Sequence, residues 1–176
     1  WSSDVCSSDL KSTDAEGSFG KWLTDRNIPE KLLTYKKKIG ATRLYIIGEW
    51  CGAGIQKNKL QLLKPQWFPF TANVDDRRFT LAELNDICNA LDIPHVEVEE
   101  IGFDLPSVYP TIDSLLERAS ENRKHVYPGQ CEGIVIRPTA SYYTRKVNTP
   151  VGVKEYPNEL LSMKVINNKY LLKNEE

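Results

Sequence analysis

The chain has 176 residues, 40% of them hydrophobic, with a formal net charge of -1, which is enough apolar content for one core and too little net charge to set up a global field for nucleic acid. No apolar run approaches the length that crosses a bilayer and no charged-then-apolar signal opens the chain, so a single-domain cytoplasmic protein is expected. Cys6, Cys51, Cys88 and Cys131 are scattered without short paired spacing, which excludes a zinc-ribbon pattern and a disulfide framework and leaves reduced thiols, Cys88 among the core.

In chain order, the first ten residues, WSSDVCSSDL, are serine-rich and without periodicity. The segment DVCSSDL is what one reading frame of a common sequencing adapter encodes. The expectation is a non-native leader over 1–10, followed by a partial domain over 11–176 from a gene assembled out of environmental reads. IPEKLLTYKKKIG then predicts a helix, with Pro29 near its start, Ile28, Leu32, Tyr35 and Ile39 at helical spacing, and Gly40 as its stop. Lys36, Lys37 and Lys38 read as a solvated face of that helix. Leu44 to Ile47 form a buried strand, and WFPF places three aromatics around Pro69. TLAELNDICNALDIP shows a capping box from Thr80 and Glu83, with Leu84, Ile87, Cys88 and Leu91 on one face and Pro94 beyond the end. HVEVEEIGF alternates as a half-exposed strand. A short helix follows from Thr111 to about Asn122 on the stripe Ile112, Leu115, Leu116 and Ala119. CEGIVIRP and LLSMKVINNKYLL are both strand-like. The order is mixed, which predicts an α+β fold rather than regular βαβ alternation.

Three polar residues interrupt or adjoin the apolar strands. The strand from Leu44 runs into Gly48 and Glu49, Glu132 and Gly133 precede Ile134 to Ile136, and Lys164 sits inside SMKVI. A carboxylate or ammonium beside a core strand must find partners or lose its charge, so three such interruptions point to one polar site. Carboxylates accept from ribose hydroxyls or hold a divalent cation, and a lysine supplies a point charge to a phosphate. The glycines beside the acids are expected to let a ligand approach the backbone. Taken singly, each motif also fits an edge turn or a surface lysine.

Together the motifs resemble a family. GEWCGAGIQ is similar to motif III, EGIVIRP to motif IV and SMKVINNKYLL to motif V of the ATP-dependent RNA ligases, in the RNA ligase 2-like branch of the covalent nucleotidyltransferases, and WFPF stands where that family has motif IIIa. The resemblance runs from about Trp22 to Lys173. It implies an adenylating ligase fold of twisted antiparallel sheets with flanking helices around an ATP cleft. It also implies ATP and Mg2+ or Mn2+, and RNA 5′-phosphate and 3′-hydroxyl ends joined through lysyl-AMP and RNA-adenylate. Carried over by position, Glu49 would hold the ribose, and Phe70, with Phe68 as second choice, would stack on adenine, core packing being the open alternative for either ring. Glu132 would help hold the metal and Lys164 would contact the α-phosphate. Arg137 is a candidate for a phosphate of ATP or RNA, a surface ion pair being the simpler reading.

Two departures from the family pattern stand out. The second lysine of motif V is replaced by Ile166, which makes Lys169 its candidate substitute. No KxDG motif for the nucleophilic lysine is present; Lys11 in KSTDAEG lacks the glycine and lies too close to motif III. The chain is therefore expected to lack its nucleophile. A non-catalytic nucleotide-binding module and a DNA nick-sealing ligase remain the alternatives.

Overall fold

Ser18 acts as a helix cap: its hydroxyl accepts the Lys21 backbone N–H at 3.1 Å and starts α1, Phe19–Asp25. The computed structural model describes residues 18–55, 58, 60–102, 104–121, 131–139 and 142–174, so the decapeptide, Lys11 and Cys6 lie outside the described residues. Helix α2, Ile28–Lys38, carries Pro29 in its first turn and Lys36, Lys37 and Lys38 in its last, where cations complement the negative end of the helix dipole.

Strands β1, Leu44–Cys51, and β2, Gln66–Val74, pair antiparallel, and the short β3, Arg77–Arg78, adds to β2. Helix α3, Leu81–Leu91, has the expected capping box of Thr80 and Glu83. Its apolar stripe of Leu84, Ile87, Cys88 and Leu91 is fully used, packing with Trp22, Ile28, Trp67, Ala72 and Phe79 into one core. At one end of that core four aromatic rings meet, with Trp22 5.5 Å from Trp50 and Phe19 5.4 Å from Trp67 between centroids. These edge contacts hold α1, which sequence periodicity did not foresee, because its burial depends on rings distant in sequence.

The second half comprises α4, Leu105–Val108, α5, Ile112–Ser120, β4, Gly133–Ile136, β5, Tyr142–Thr149, β6, Gly152–Leu160, β7, Met163–Ile166, and α6, Asn168–Asn174. Strands β4 and β7 pair antiparallel, and β5 and β6 form a separate hairpin. At its base the Tyr142 hydroxyl accepts from Arg77 at 2.8 Å, and Arg77 in turn donates two bonds to the Glu83 carboxylate at 2.6 and 2.8 Å. The Arg77 fork holds the Glu83 pKa down to about 2. Mixed helices and antiparallel sheets agree with the expected α+β class.

Three expectations need correction. HVEVEEIGF forms no strand among the described residues. Its Val96 N–H reaches the Pro69 carbonyl at 3.1 Å, but Pro69 has no N–H to return, so no ladder can continue there. Glu99 and Glu100 instead accept from Arg118 of α5 at 2.9 and 2.6 Å. Helix α5 ends at Ser120, and Ile112, assigned to its apolar stripe, is 76% exposed; Asn122 lies outside the described residues. In LLSMKVINNKYLL Leu160 ends β6 and Met163–Ile166 forms β7, but the strand stops there, because the Asn167 side chain accepts the Lys169 backbone N–H at 3.0 Å and starts a helix. No described helix is long and apolar enough to cross a membrane.

Candidate functional site

The register of β1 on β2 gives the first sheet two different faces. Residues Leu44, Ile46 and Trp50 pack toward the core with Trp67, Ala72 and Val74. Alternation then puts Tyr45, Ile47 and Glu49 on the other face, with Phe68 opposite Glu49. That face is open: Tyr45 is 50% and Ile47 45% exposed. Ile47 pairs with Thr71 but Gly48 pairs with Pro69, so Phe70 is the extra residue of a β-bulge. Bulges re-aim side chains beside functional sites, and this one falls on the aromatic that the sequence singled out.

The glycines have another role than the expected one. A Cβ on Gly48 would collide with the Trp67 indole nitrogen and lie 2.6 Å from the Phe68 carbonyl oxygen. Gly48 therefore permits close packing on the core side, behind the site. A Cβ on Gly52 would lie 2.6 Å from the Lys64 carbonyl oxygen, again against backbone. At Gly133 a Cβ would overlap the Val165 carbonyl, and φ is +146°, a conformation that only glycine adopts without strain. Gly133 thus lets β4 meet β7 immediately after Glu132.

Strand pairing then assembles the charged residues. Val135 of β4 faces Lys164 of β7, and the Lys164 ammonium donates a short bond to the Glu132 carboxylate. Asn167, 1% exposed, fixes this corner: its backbone N–H reaches the Glu132 carbonyl at 2.8 Å and its side-chain amide the Cys131 carbonyl at 2.9 Å. Sequence reasoning missed Asn167; an asparagine directly after an apolar strand and ahead of a helical pattern is the signal that could have found it. Burial, and then the negative charge of Glu132, raise the Glu49 pKa above its ordinary value. Glu132, just ahead of β4, is thus close enough to Glu49 of β1 for its charge to act on it. Burial lowers the Lys164 pKa. Cys51, a free cysteine, has its pKa pushed up to about 11, by burial first and Glu49 second.

The far end of β4 also reaches the first sheet. The Arg137 guanidinium donates to the Phe70 carbonyl, to the Thr71 hydroxyl at 3.5 Å and, through Nε, to the Ser162 hydroxyl at 3.1 Å. Among the described residues it has no ion pair, contrary to the simpler sequence reading, and burial and then the charge of Arg78 lower its pKa. The two residues that flank β4 are thus both linked to the first sheet, Glu132 through its charge on Glu49 and Arg137 through its hydrogen bonds at the Phe70 bulge. Lys169 is exposed on α6, and no hydrogen bond among the described residues ties its ammonium to Glu132 or Lys164. Two surface hollows, one beside Arg26 and the 60–66 segment and one between α2 and Ala90, contain none of these residues.

Solved structures of Naegleria gruberi RNA ligase share the fold. A variant with ATP and Mn matches with a TM-score of 0.61 at 18% identity over 94% of this chain and 43% of that chain. An apo variant matches with a TM-score of 0.60 at 19% identity over 92% and 42%, and a variant with AMP and Mn with 0.60 at 18% over 94% and 43%. The chain thus spans less than half the length of these structures. No curated protein matches the sequence. The family model described as RNA ligase matches residues 4–152, a span that includes Glu49, Phe70, Glu132 and Arg137 and stops before Lys164 and Lys169. With most of its length matched, the chain belongs to the RNA ligase family.

Proposed function

We propose that this protein is an ATP-dependent RNA ligase, joining RNA 3′-hydroxyl and 5′-phosphate ends through lysyl-AMP and RNA-adenylate, and that this chain supplies the nucleotide-holding side of the site. The observation that carries the reading is the Lys164–Glu132 pair set against Glu49 across two sheets. Lys164 offers a positive charge to an α-phosphate where negative charge builds during adenylyl transfer. Glu49 accepts from the ribose hydroxyls, and Phe70, re-aimed by its bulge, stacks on the adenine ring. Lys169 remains the proposed second phosphate contact, reached by movement of its exposed side chain.

A divalent cation fits this donor set. Glu49 and Glu132 are hard oxygen donors; burial first and then the charge of Glu132 raise the Glu49 pKa, and a cation relieves that repulsion. Among the described residues no group of three or more ligating side chains exists, which suits Mg2+ or Mn2+ held by one or two carboxylates together with substrate phosphates and water. When bound, the ion neutralises phosphate charge, while Glu132 orients Lys164. The nucleophilic lysine is assigned outside these 176 residues, because no KxDG motif occurs among them.

The test is strand joining by the protein expressed with whatever upstream coding sequence its gene contains, supplied with ATP, Mg2+ or Mn2+, and RNA bearing 5′-phosphate and 3′-hydroxyl ends. Sealed RNA is expected. Sealing of nicked DNA in preference to RNA would move the reading to DNA nick repair. Nucleotide binding without any covalent adduct would leave a binding module.

A further inference from the structure

The two ends of the proposed nucleotide site belong to different sheets: Phe70 is on β2, whereas Lys164 is on β7 and Glu132 immediately precedes β4. Arg137 is the side chain that joins them. Its Nη1 holds the carbonyl of the bulge residue Phe70, and its Nε holds Ser162 in the connection that leads into β7, two residues before Lys164. All three of its acceptors are neutral, its pKa is lowered by burial and by Arg78, and no carboxylate among the described residues pairs with it. A half-buried guanidinium without a counter-charge is costly, and a surface ornament would not sit there. A planar fork reaching the bulge and the β7 connection at once is something an ammonium cannot reproduce.

We propose that Arg137 is a positioning residue: by clamping the Phe70 bulge to Ser162 it sets the separation between the adenine-stacking ring and the Lys164–Glu132 pair. This rests on the nucleotide reading of the site, and it assigns Arg137 a role distinct from direct phosphate contact. Fixing both ends in advance spares the ligand that ordering cost.

The test uses calorimetric titration of this chain with two probes in the presence of Mn2+: AMP, which needs both ends of the site, and inorganic pyrophosphate, which needs only the Lys164–Glu132 end. Arg137→Met and Arg137→Lys are each expected to weaken AMP binding by about tenfold or more while leaving pyrophosphate within about twofold. Ser162→Ala removes only the Nε acceptor at an exposed position and is expected to weaken AMP in the same direction by less. This variant also keeps the test decisive if the Arg137 variants do not fold. Recovery of AMP binding in Arg137→Lys, or a parallel loss of pyrophosphate, would show that charge and not position matters and would overturn the proposal. Unchanged AMP binding in Ser162→Ala would overturn it in favour of a direct Arg137 contact. If the unaltered chain binds neither probe, the nucleotide reading itself falls and the proposal with it; if it binds AMP and all variants match it, only the positioning role falls.

Discussion

Replacing Gly48 by alanine separates two explanations of the glycine beside Glu49. If the glycine clears room for a ligand, the extra methyl should cost nucleotide affinity and leave stability alone. The structure points the methyl the other way, against the Trp67 indole and to within 2.6 Å of the Phe68 carbonyl oxygen and 2.8 Å of the Pro69 Cα. Two of those three atoms are backbone in a paired strand, so they cannot swing aside. Overpacking of this kind costs about 3 kcal/mol at the upper end, and the loss of backbone freedom in the unfolded chain offsets about 1 kcal/mol of it. A net loss of about 2 kcal/mol in a chain of this size lowers Tm by about 4–8 °C. Thermal unfolding followed by circular dichroism, with AMP titration of the folded variant at low temperature, checks this. An unchanged Tm with lost AMP binding would refute the packing argument.

Other consequences follow from the charges. The Glu49 pKa is raised above its ordinary 4.5, so the carboxylate form opposes folding above the folded pKa and that penalty vanishes as pH falls below 4.5. Glu49→Gln is accordingly expected to raise Tm at pH 7, to match the parent near pH 4, and to bind AMP more weakly; equal Tm shifts at both pH values would contradict it. Glu83 is the opposite case, held at about 2 by Arg77, so its contribution is complete above 4.5 and is lost as pH falls toward 2. Glu83→Gln should cost about 1–2 kcal/mol at pH 7, the lower range for charged hydrogen bonds because side-chain exposure at the pair is 35% and 34%, and only a small part of that near pH 2, as urea titrations at the two pH values would show. Incubated with ATP and Mg2+, this chain should gain no covalent AMP by intact mass; a stoichiometric adduct on any of its lysines would overturn the assignment of the nucleophile to a position outside it.

Much of the proposed site is legible in the sequence because charge inside an apolar strand is conspicuous. Glu49, Glu132 and Lys164 each break or adjoin such a run, and the structure does bring the three toward one region. The α3 capping box and its buried stripe were equally plain, since both rest on local spacing. Less was visible wherever a residue's partner lies far along the chain. Alternating Val96 and Val98 suggested a strand, but a ladder needs a free neighbour and Pro69 offers none. The β5–β6 hairpin, rich in charge and exposed on both faces, gave no periodic apolar signal. Arg137 could not be distinguished from a surface ion pair until its acceptors on Phe70 and Ser162 were seen. Gly48 and Gly133 stand out in the sequence, but the sequence does not say which face a missing Cβ would occupy, and in the structure that face is packed against neighbouring strands.

The central claim is that Glu49, Glu132 and Lys164 form a single nucleotide site on this chain. Calorimetric titration of ATP with Mn2+ into the chain and into Lys164→Ala tests it most directly. The account predicts one binding site in the parent and a loss of affinity of about tenfold or more in Lys164→Ala, the scale of a charged contact to phosphate, with the variant's far-ultraviolet circular dichroism unchanged. Binding of equal strength in the two proteins, or none in the parent, would contradict it.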